Sequence, residues 1–100
     1  MEIAQLAKIF KALSHPNRLE LFLEILKQEE RSFEQSGCLT SEIMERLNIG
    51  APTVSHHLKE LANAGLIVTE RDGKFLLARV NQETMRQAAA MLMRPECRTT

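Results

Sequence analysis

The alternation of apolar and polar side chains divides the chain into five helical segments and one pair of strands. Near the N-terminus, Ile3, Leu6, Ala7, Phe10 and Leu13 recur at helical spacing with Glu2, Gln5, Lys8 and Lys11 between them, which predicts an amphipathic helix. Ser14-His15-Pro16 ends it, and Pro16 suits the first turn of a second helix whose apolar stripe is Leu19, Phe22, Leu23 and Leu26. From Gln28 to Cys38 the chain is polar and aperiodic apart from Phe33, with a turn signal at Ser36-Gly37, so a loop is expected there. Thr40 caps a short third helix with Ile43, Met44 and Leu47 facing inward, and Asn48-Ile49-Gly50 stops it. Pro52 opens a fourth helix with Val54, Leu58 and Leu61 as its inner stripe, closed by Ala64-Gly65 with Leu66 as the accompanying apolar contact.

Two partly β-branched runs, Leu66 to Glu70 and Lys74 to Val80, flank Arg71-Asp72-Gly73, a hairpin signal because Asp-Gly tolerates the positive φ angles of tight turns. Asn81 then caps a last helix carrying Met85, Ala88, Ala89, Leu92 and Met93 on one side, before Pro95. The expected fold class is mainly α with a small β-hairpin: five helices plus a two-stranded wing, in one winged helix-turn-helix domain spanning residues 1–100. A domain this small buries a modest fraction of its surface and often gains stability by pairing with a copy of itself. Apolar stripes at both chain ends, including Leu6 and Phe10 in the first helix and Met85, Ala89 and Leu92 in the last, are the expected dimer interface.

Two short helices joined by a glycine-containing turn, Thr40 to Asn63, have the length and pattern of a helix-turn-helix. The outer face of its second helix carries Thr53, Ser55, His56 and Lys59, groups able to reach base edges and phosphates in a major groove. Arg71 and Lys74 at the hairpin turn, with Arg79 behind them, follow directly. Thirteen basic residues balance thirteen acidic ones, so the whole-chain charge does not argue for nucleic acid, and the case rests on where the charges sit. Thr53, Ser55 and His56 are therefore expected to read bases, and Lys59, Arg71 and Lys74 to hold phosphates of double-stranded DNA.

The segments ALSHPNRLELFLEIL and APTVSHHLKELANAGLIVTERDGKFLLARV together resemble the ArsR/SmtB family of bacterial repressors, from about Leu6 to Val80. That resemblance implies a homodimer joined through its first and last helices, which binds an inverted-repeat operator and represses by blocking transcription. By matching positions it places Thr53, Ser55 and His56 on the base-reading face and Arg71 to Lys74 at the wing tip. The family's cysteine pair for soft metals would fall at Leu39 and Ser41, and its zinc-binding pattern in the last helix would fall in NQETMRQAAAML, which has no histidine. Both usual metal sites are thus expected to be missing, and no cofactor is expected.

His15 is expected to cap or pack between helices, and His57, beside the inner stripe, to be partly buried; adjacent His56 and His57 point about 100° apart and do not suit one metal. Cys38 and Cys97 are far apart in sequence and admit three readings: ordinary structural thiols, a redox or persulfide switch, or metal or metalloid binding with a third ligand from elsewhere. No long apolar run or signal peptide is present, so a cytoplasmic protein is expected, with no membrane partner. No phosphate-cradling glycine loop, catalytic acid pair or activated nucleophile is visible, which argues against an enzyme. The rival class is a winged-helix module that binds another protein and not DNA, supported by the zero net charge.

Overall fold

Burial of one face of the fourth helix organises the fold. The computed structural model of the chain describes residues 1–31, 38–73 and 75–93. The elements run α1 (Ile3–Leu13), α2 (Pro16–Arg31), β1 (Cys38–Leu39), α3 (Thr40–Leu47), α4 (Ala51–Asn63), β2 (Ile67–Asp72), β3 (Phe75–Val80) and α5 (Gln82–Leu92). Val54, Leu58 and Leu61 of α4 are buried and join Ile9 of α1, Leu21, Phe22 and Ile25 of α2, Ile43 of α3, and Leu66, Ile67 and Val80 around the hairpin in one core. Each such side chain contributes about 1.5–3 kcal/mol of transfer free energy when fully buried.

The two helices of the helix-turn-helix end by the same device. At α3, Asn48 takes a left-handed φ of 55° and the Ile49 amide donates to the Met44 carbonyl at 3.2 Å. At α4, Gly65 takes φ 79° and the Leu66 amide donates to the Leu61 carbonyl at 3.0 Å. Both bonds run from the residue after the left-handed one to the carbonyl five positions back, in the last turn, and leave an apolar side chain tucked against the helix end. The α3–α4 turn is therefore Asn48-Ile49-Gly50, and the Gly50 carbonyl accepts the first amide bond of α4, from Val54 at 3.1 Å. Asn81 caps α5 as expected, its Oδ1 accepting from the Thr84 amide at 3.2 Å.

Several expectations shift. In α1 the inward side chains are Ile9 and Ala12, with Leu6 and Leu13 half-buried, while Ile3, Ala7 and Phe10 face solvent. In α2, Leu21, Phe22 and Ile25 are buried and Leu19 and Leu23 exposed. Both helices are apolar on more than one face, so periodicity found a stripe but not the phase that packs. Gln28 to Arg31, expected in a loop, continue α2. Residues 32–37 of that expected loop lie outside the described residues. Cys38, expected in the loop, instead belongs to β1, which pairs antiparallel with β3 through Cys38↔Ala78 and Leu39↔Leu77. The wing hairpin is present, but it is part of a three-stranded sheet in the order β1-β3-β2.

The hairpin also extends further than expected. Arg71 and Asp72 lie in β2, and Asp72 pairs with Phe75, leaving positions 73 and 74 as a two-residue loop. Gly73 has φ 65°, and two-residue loops with a positive φ at the first position match the right-handed twist of the flanking strands. Arg71 is thus paired with Leu76 one step below the tip, and Lys74, expected at the tip, lies outside the described residues.

Gly65 joins three elements: a Cβ placed there would meet Gln5 Nε2 of α1 at 3.3 Å and Thr84 Oγ1 of α5 at 3.7 Å. The Gln5 amide in turn donates to the Ala64 carbonyl at 2.9 Å. Gly65→Ala is expected to cost about 1–2 kcal/mol, from left-handed backbone strain with a crowded Cβ. Denaturant unfolding should show a lower midpoint with an unchanged m-value.

Candidate nucleic-acid interface

At about 100° per residue, the inward face of α4 centres on Val54 and Leu61. The side chains opposite are Pro52, His56, Lys59 and Asn63, with Ser55 and Ala62 turned to one flank and Thr53 and Glu60 to the other. Thr53, Ser55, His56, Lys59 and Asn63 are all exposed. The first turn of α4, with its uncompensated backbone N–H groups, lies on the same exposed edge. Four of the sequence-derived DNA contacts therefore share one open surface, and Asn63 joins them. Asn63 lies four residues after Lys59 and seven after His56, spacing that was available in the sequence.

The hairpin stands against the Ser55 flank. Ser55, Leu58, Lys59, Ala62 and Asn63 of α4 enclose, with Thr69 of β2 and Leu76 of β3, an open cleft of about 230 Å³. Arg71 is exposed two residues beyond Thr69 on the same strand face, so its side chain continues the polar line of the α4 flank toward the tip. On the opposite strand face Arg79 is ion-paired to Glu70. That pairing matches Glu70 with a base on its own face, while Arg71 is exposed on the α4 side.

On the Thr53 and Glu60 flank the helix meets the α1–α2 corner. Lys8, Lys11 and Ala12 of α1 and Arg18 of α2 enclose, with Glu60, Asn63 and Ala64, a second cleft of about 190 Å³. Glu60 is half-buried against these cations, turned away from the outermost line of α4. His57 is 4% exposed, and Arg18 Nε donates to its Nδ1 at 3.3 Å. Its Nε2 is buried with no hydrogen-bond partner. The His15 ring lies 5.0 Å from that of His57, and the His15 carbonyl accepts the first amide bond of α2, from Leu19 at 2.9 Å. Burial first, then the charges of Arg18, His15 and His56, hold the His57 imidazole below its ordinary pKa. His15 thus packs its ring against His57, one of the two roles expected of it, while His57 is more buried than the sequence suggested and only half satisfied.

Sequence reasoning missed Glu24. Nearly buried in α2, it accepts from Gln28 at 3.0 Å and pairs with Arg46 Nε of α3 at 3.1 Å, fixing α3 against α2. A single charge in an amphipathic stripe carries no signal of its partner. Among the described residues no group of three or more His, Cys, Asp or Glu is placed to hold a metal. Cys38 is described only through its backbone in β1, and Cys97 lies outside the described residues. Of the apolar side chains expected at a dimer interface, Leu6 and Met85 pack partly into the chain's own core, whereas Phe10, Ala89 and Leu92 are exposed. Ile3 and Met93, 79% and 64% exposed, extend that surface.

The family model of a helix-turn-helix domain matches residues 13–70. The arsenical resistance operon repressor of Staphylococcus xylosus is 31% identical over 83 residues, covering 83% of this chain and 72% of that protein. The transcriptional repressor SdpR of Bacillus subtilis is 33% identical over 81 residues, covering 80% of each. Among solved structures, the homodimeric winged helix-turn-helix DNA-binding domain Mb0332 of Mycobacterium bovis superposes with a TM-score of 0.67 at 22% identity, over 90% of this chain and 77% of that one. These repressors align through the very segments that build α2, the helix-turn-helix and the hairpin, so the chain belongs to the ArsR/SmtB family of winged helix-turn-helix transcriptional repressors, DNA-binding regulators and not enzymes.

Proposed function

We propose that the chain, as a single domain, forms a two-fold homodimer that represses transcription in the cytoplasm by occupying an inverted-repeat operator, without the metal sites usual in its family. The carrying observation is the division of α4: Val54, His57, Leu58 and Leu61 are buried, while Thr53, Ser55, His56 and Lys59 are exposed together. Inserted in a major groove, that face puts Thr53, Ser55 and His56 at base edges and Lys59 at the backbone, while Arg71 and Lys74 of the wing hold adjacent phosphates. Phosphate contacts set register and affinity, and base contacts set preference.

The two groups fail differently. Selection from a random duplex pool supplies the operator. On it, His56→Ala or Ser55→Ala should cost about 1–3 kcal/mol and relax preference at one position, whereas Lys74→Ala should weaken all duplexes alike and reduce the salt slope by about 1. Unchanged operator binding in the His56→Ala, Ser55→Ala double variant would remove the recognition face, and salt-independent or absent DNA binding would favour the protein-interaction reading.

Dimerisation through α1 and α5 is supported by the unpartnered apolar side chains of Ile3, Phe10, Leu92 and Met93, and by the neighbouring approach of Gln5 and Thr84 to Gly65, which sets the starts of the two helices side by side. The Mycobacterium bovis domain of the same fold is homodimeric. Leu92→Glu should yield monomers by sedimentation and lose tight operator binding, because two recognition helices must sit about one DNA turn apart to engage both half-sites. A wild-type monomer that binds the operator tightly would reject the arrangement.

Regulation is proposed to run through Cys38 and Cys97, the two thiols of the chain. Cys38 lies in β1, directly before α3, so a change at that thiol acts on the strand that leads into the helix-turn-helix. Operator affinity of the wild type should fall with an oxidant or persulfide donor, and the Cys38→Ser, Cys97→Ser double variant should not respond. Equal responses would place the signal elsewhere.

A further inference from the structure

The bond between Arg18 and His57 ties α4 to the corner between α1 and α2. His57 lies at the middle of the inward face of α4 and accepts from Arg18 Nε through Nδ1 at 3.3 Å. Acceptance requires the Nδ1 lone pair, so this imidazole is neutral and carries its proton on Nε2. The same guanidinium donates through Nη1 to the carbonyl of Ala12 in the last turn of α1, at 3.4 Å. One side chain therefore joins the end of α1, the start of α2 and the centre of α4.

A second proton on His57 has only Nδ1 to occupy. There it removes the acceptor that Arg18 uses and sets an imidazolium against a guanidinium, in a site that is 4% exposed. The surroundings add to the conflict. The His15 ring lies at 5.0 Å and the His56 ring at 6.0 Å. Lys8 and Lys11 of α1 line the adjoining cleft with Arg18, and Glu60 of α4 is the acid that faces them. Glu70 and Arg71 of β2 belong to the hairpin, which meets α4 on the other flank through Thr69.

We propose that Arg18 and His57 are positioning residues for DNA binding: they lock the recognition helix to the α1–α2 corner while His57 is neutral, and acid unlocks it. The proposal rests on the reading of α4 as the DNA-contacting helix. The expected sign is distinctive, because positive charge gained by a protein in acid generally strengthens its attraction to phosphate, whereas here acid weakens binding. The linkage also bears on stability. A histidine held neutral by the fold binds fewer protons folded than unfolded, so stability is lost as pH falls below about 6.5 toward the lowered value.

The test uses the full chain and the duplex recovered by selection, with anisotropy binding from pH 7.5 to 5.0 at constant ionic strength. His57→Asn keeps an acceptor near the Nδ1 position and does not titrate. It should bind within about threefold of the wild type at pH 7.5, and the wild type should then lose affinity relative to it on acidification, by at most about tenfold per pH unit for one proton. A second measurement needs no variant and no DNA. The 15N spectrum of the wild-type imidazoles should show His57 as the Nε2–H tautomer at neutral pH, and amide shifts of α2 and α4 should follow its titration midpoint. Arg18→Gln should move that midpoint upward by removing the neighbouring cation. Parallel affinity curves for wild type and His57→Asn, or an Nδ1–H tautomer at neutral pH, would overturn the lock. A wild type that binds no duplex at pH 7.5 would instead remove the DNA reading of α4, while the imidazole spectrum still decides whether Arg18 holds His57.

Discussion

The constraint on which the structure depends is the burial of one face of a 13-residue helix whose other face must stay bare. Val54, Leu58 and Leu61 are at most 3% exposed, and truncating such a side chain typically costs 2–5 kcal/mol, a large part of the margin of a small domain. α1, α2 and β2 pack against α4, and Ile43 of α3, Val80 of β3 and Ala88 of α5 join the same core. α2 and α3 close it from one side, the hairpin from the other, and α1 crosses the C-terminal end through Gln5. Orientation of the polar face is therefore a by-product of core packing: once Leu58 and Leu61 are inward, His56 and Lys59 have nowhere to point but out.

Charge follows the same logic. The chain is electrically balanced, yet its acids are not spread evenly over its bases. Glu24 is paired with Arg46, Glu70 with Arg79, and Glu83 with Arg86. The two exposed pairs, Glu70 with Arg79 and Glu83 with Arg86, add little stability. The consequence of all three is distribution: three arginines away from the outer line of α4 are matched locally, while Lys59 and Arg71 sit on the open surface. A net charge of zero thus says little about the potential at the outer face of α4, because Coulomb interactions at the surface are screened beyond about 10 Å.

What the sequence made legible was local and strongly patterned. The Asn and Gly stops of α3 and α4, the Asn81 cap, the inner stripe of α4 and the existence of a hairpin each depend on a few neighbouring residues with one good conformation. What it hid depends on partners distant in the chain. The phase of α1 was ambiguous because Ile3 and Phe10 are as apolar as Ile9, and only the shape of the α2 surface decides which turn inward. β1 is two residues long, too short to show alternation, and exists because β3 offers it an edge. The hairpin signal was correct, but pairing ran on through Arg71 and Asp72 because the two-residue loop at 73–74 fits strand twist better than the expected turn. At the site, the exposed residues were found because spacing alone places them, whereas the Arg18 partner of His57, 39 positions away, carried no sequence signal.

The anchors of α4 differ in kind, and that difference shapes how the helix can move. Its C-terminal end is held by backbone-directed contacts: Gln5 on the Ala64 carbonyl, and the left-handed Gly65 with Leu66 folded back on Leu61. Those contacts have no titratable member. Its middle is held by Arg18 and His57, a pair whose acceptor disappears on protonation. Loss of that conditional contact would leave α4 held by its C-terminal contacts and by the apolar stripe of Val54, Leu58 and Leu61. Thr53, Ser55 and His56, the side chains proposed to read bases, lie farther from Ala64 than His57 does, so release of Arg18 would act on the half of the helix that carries them.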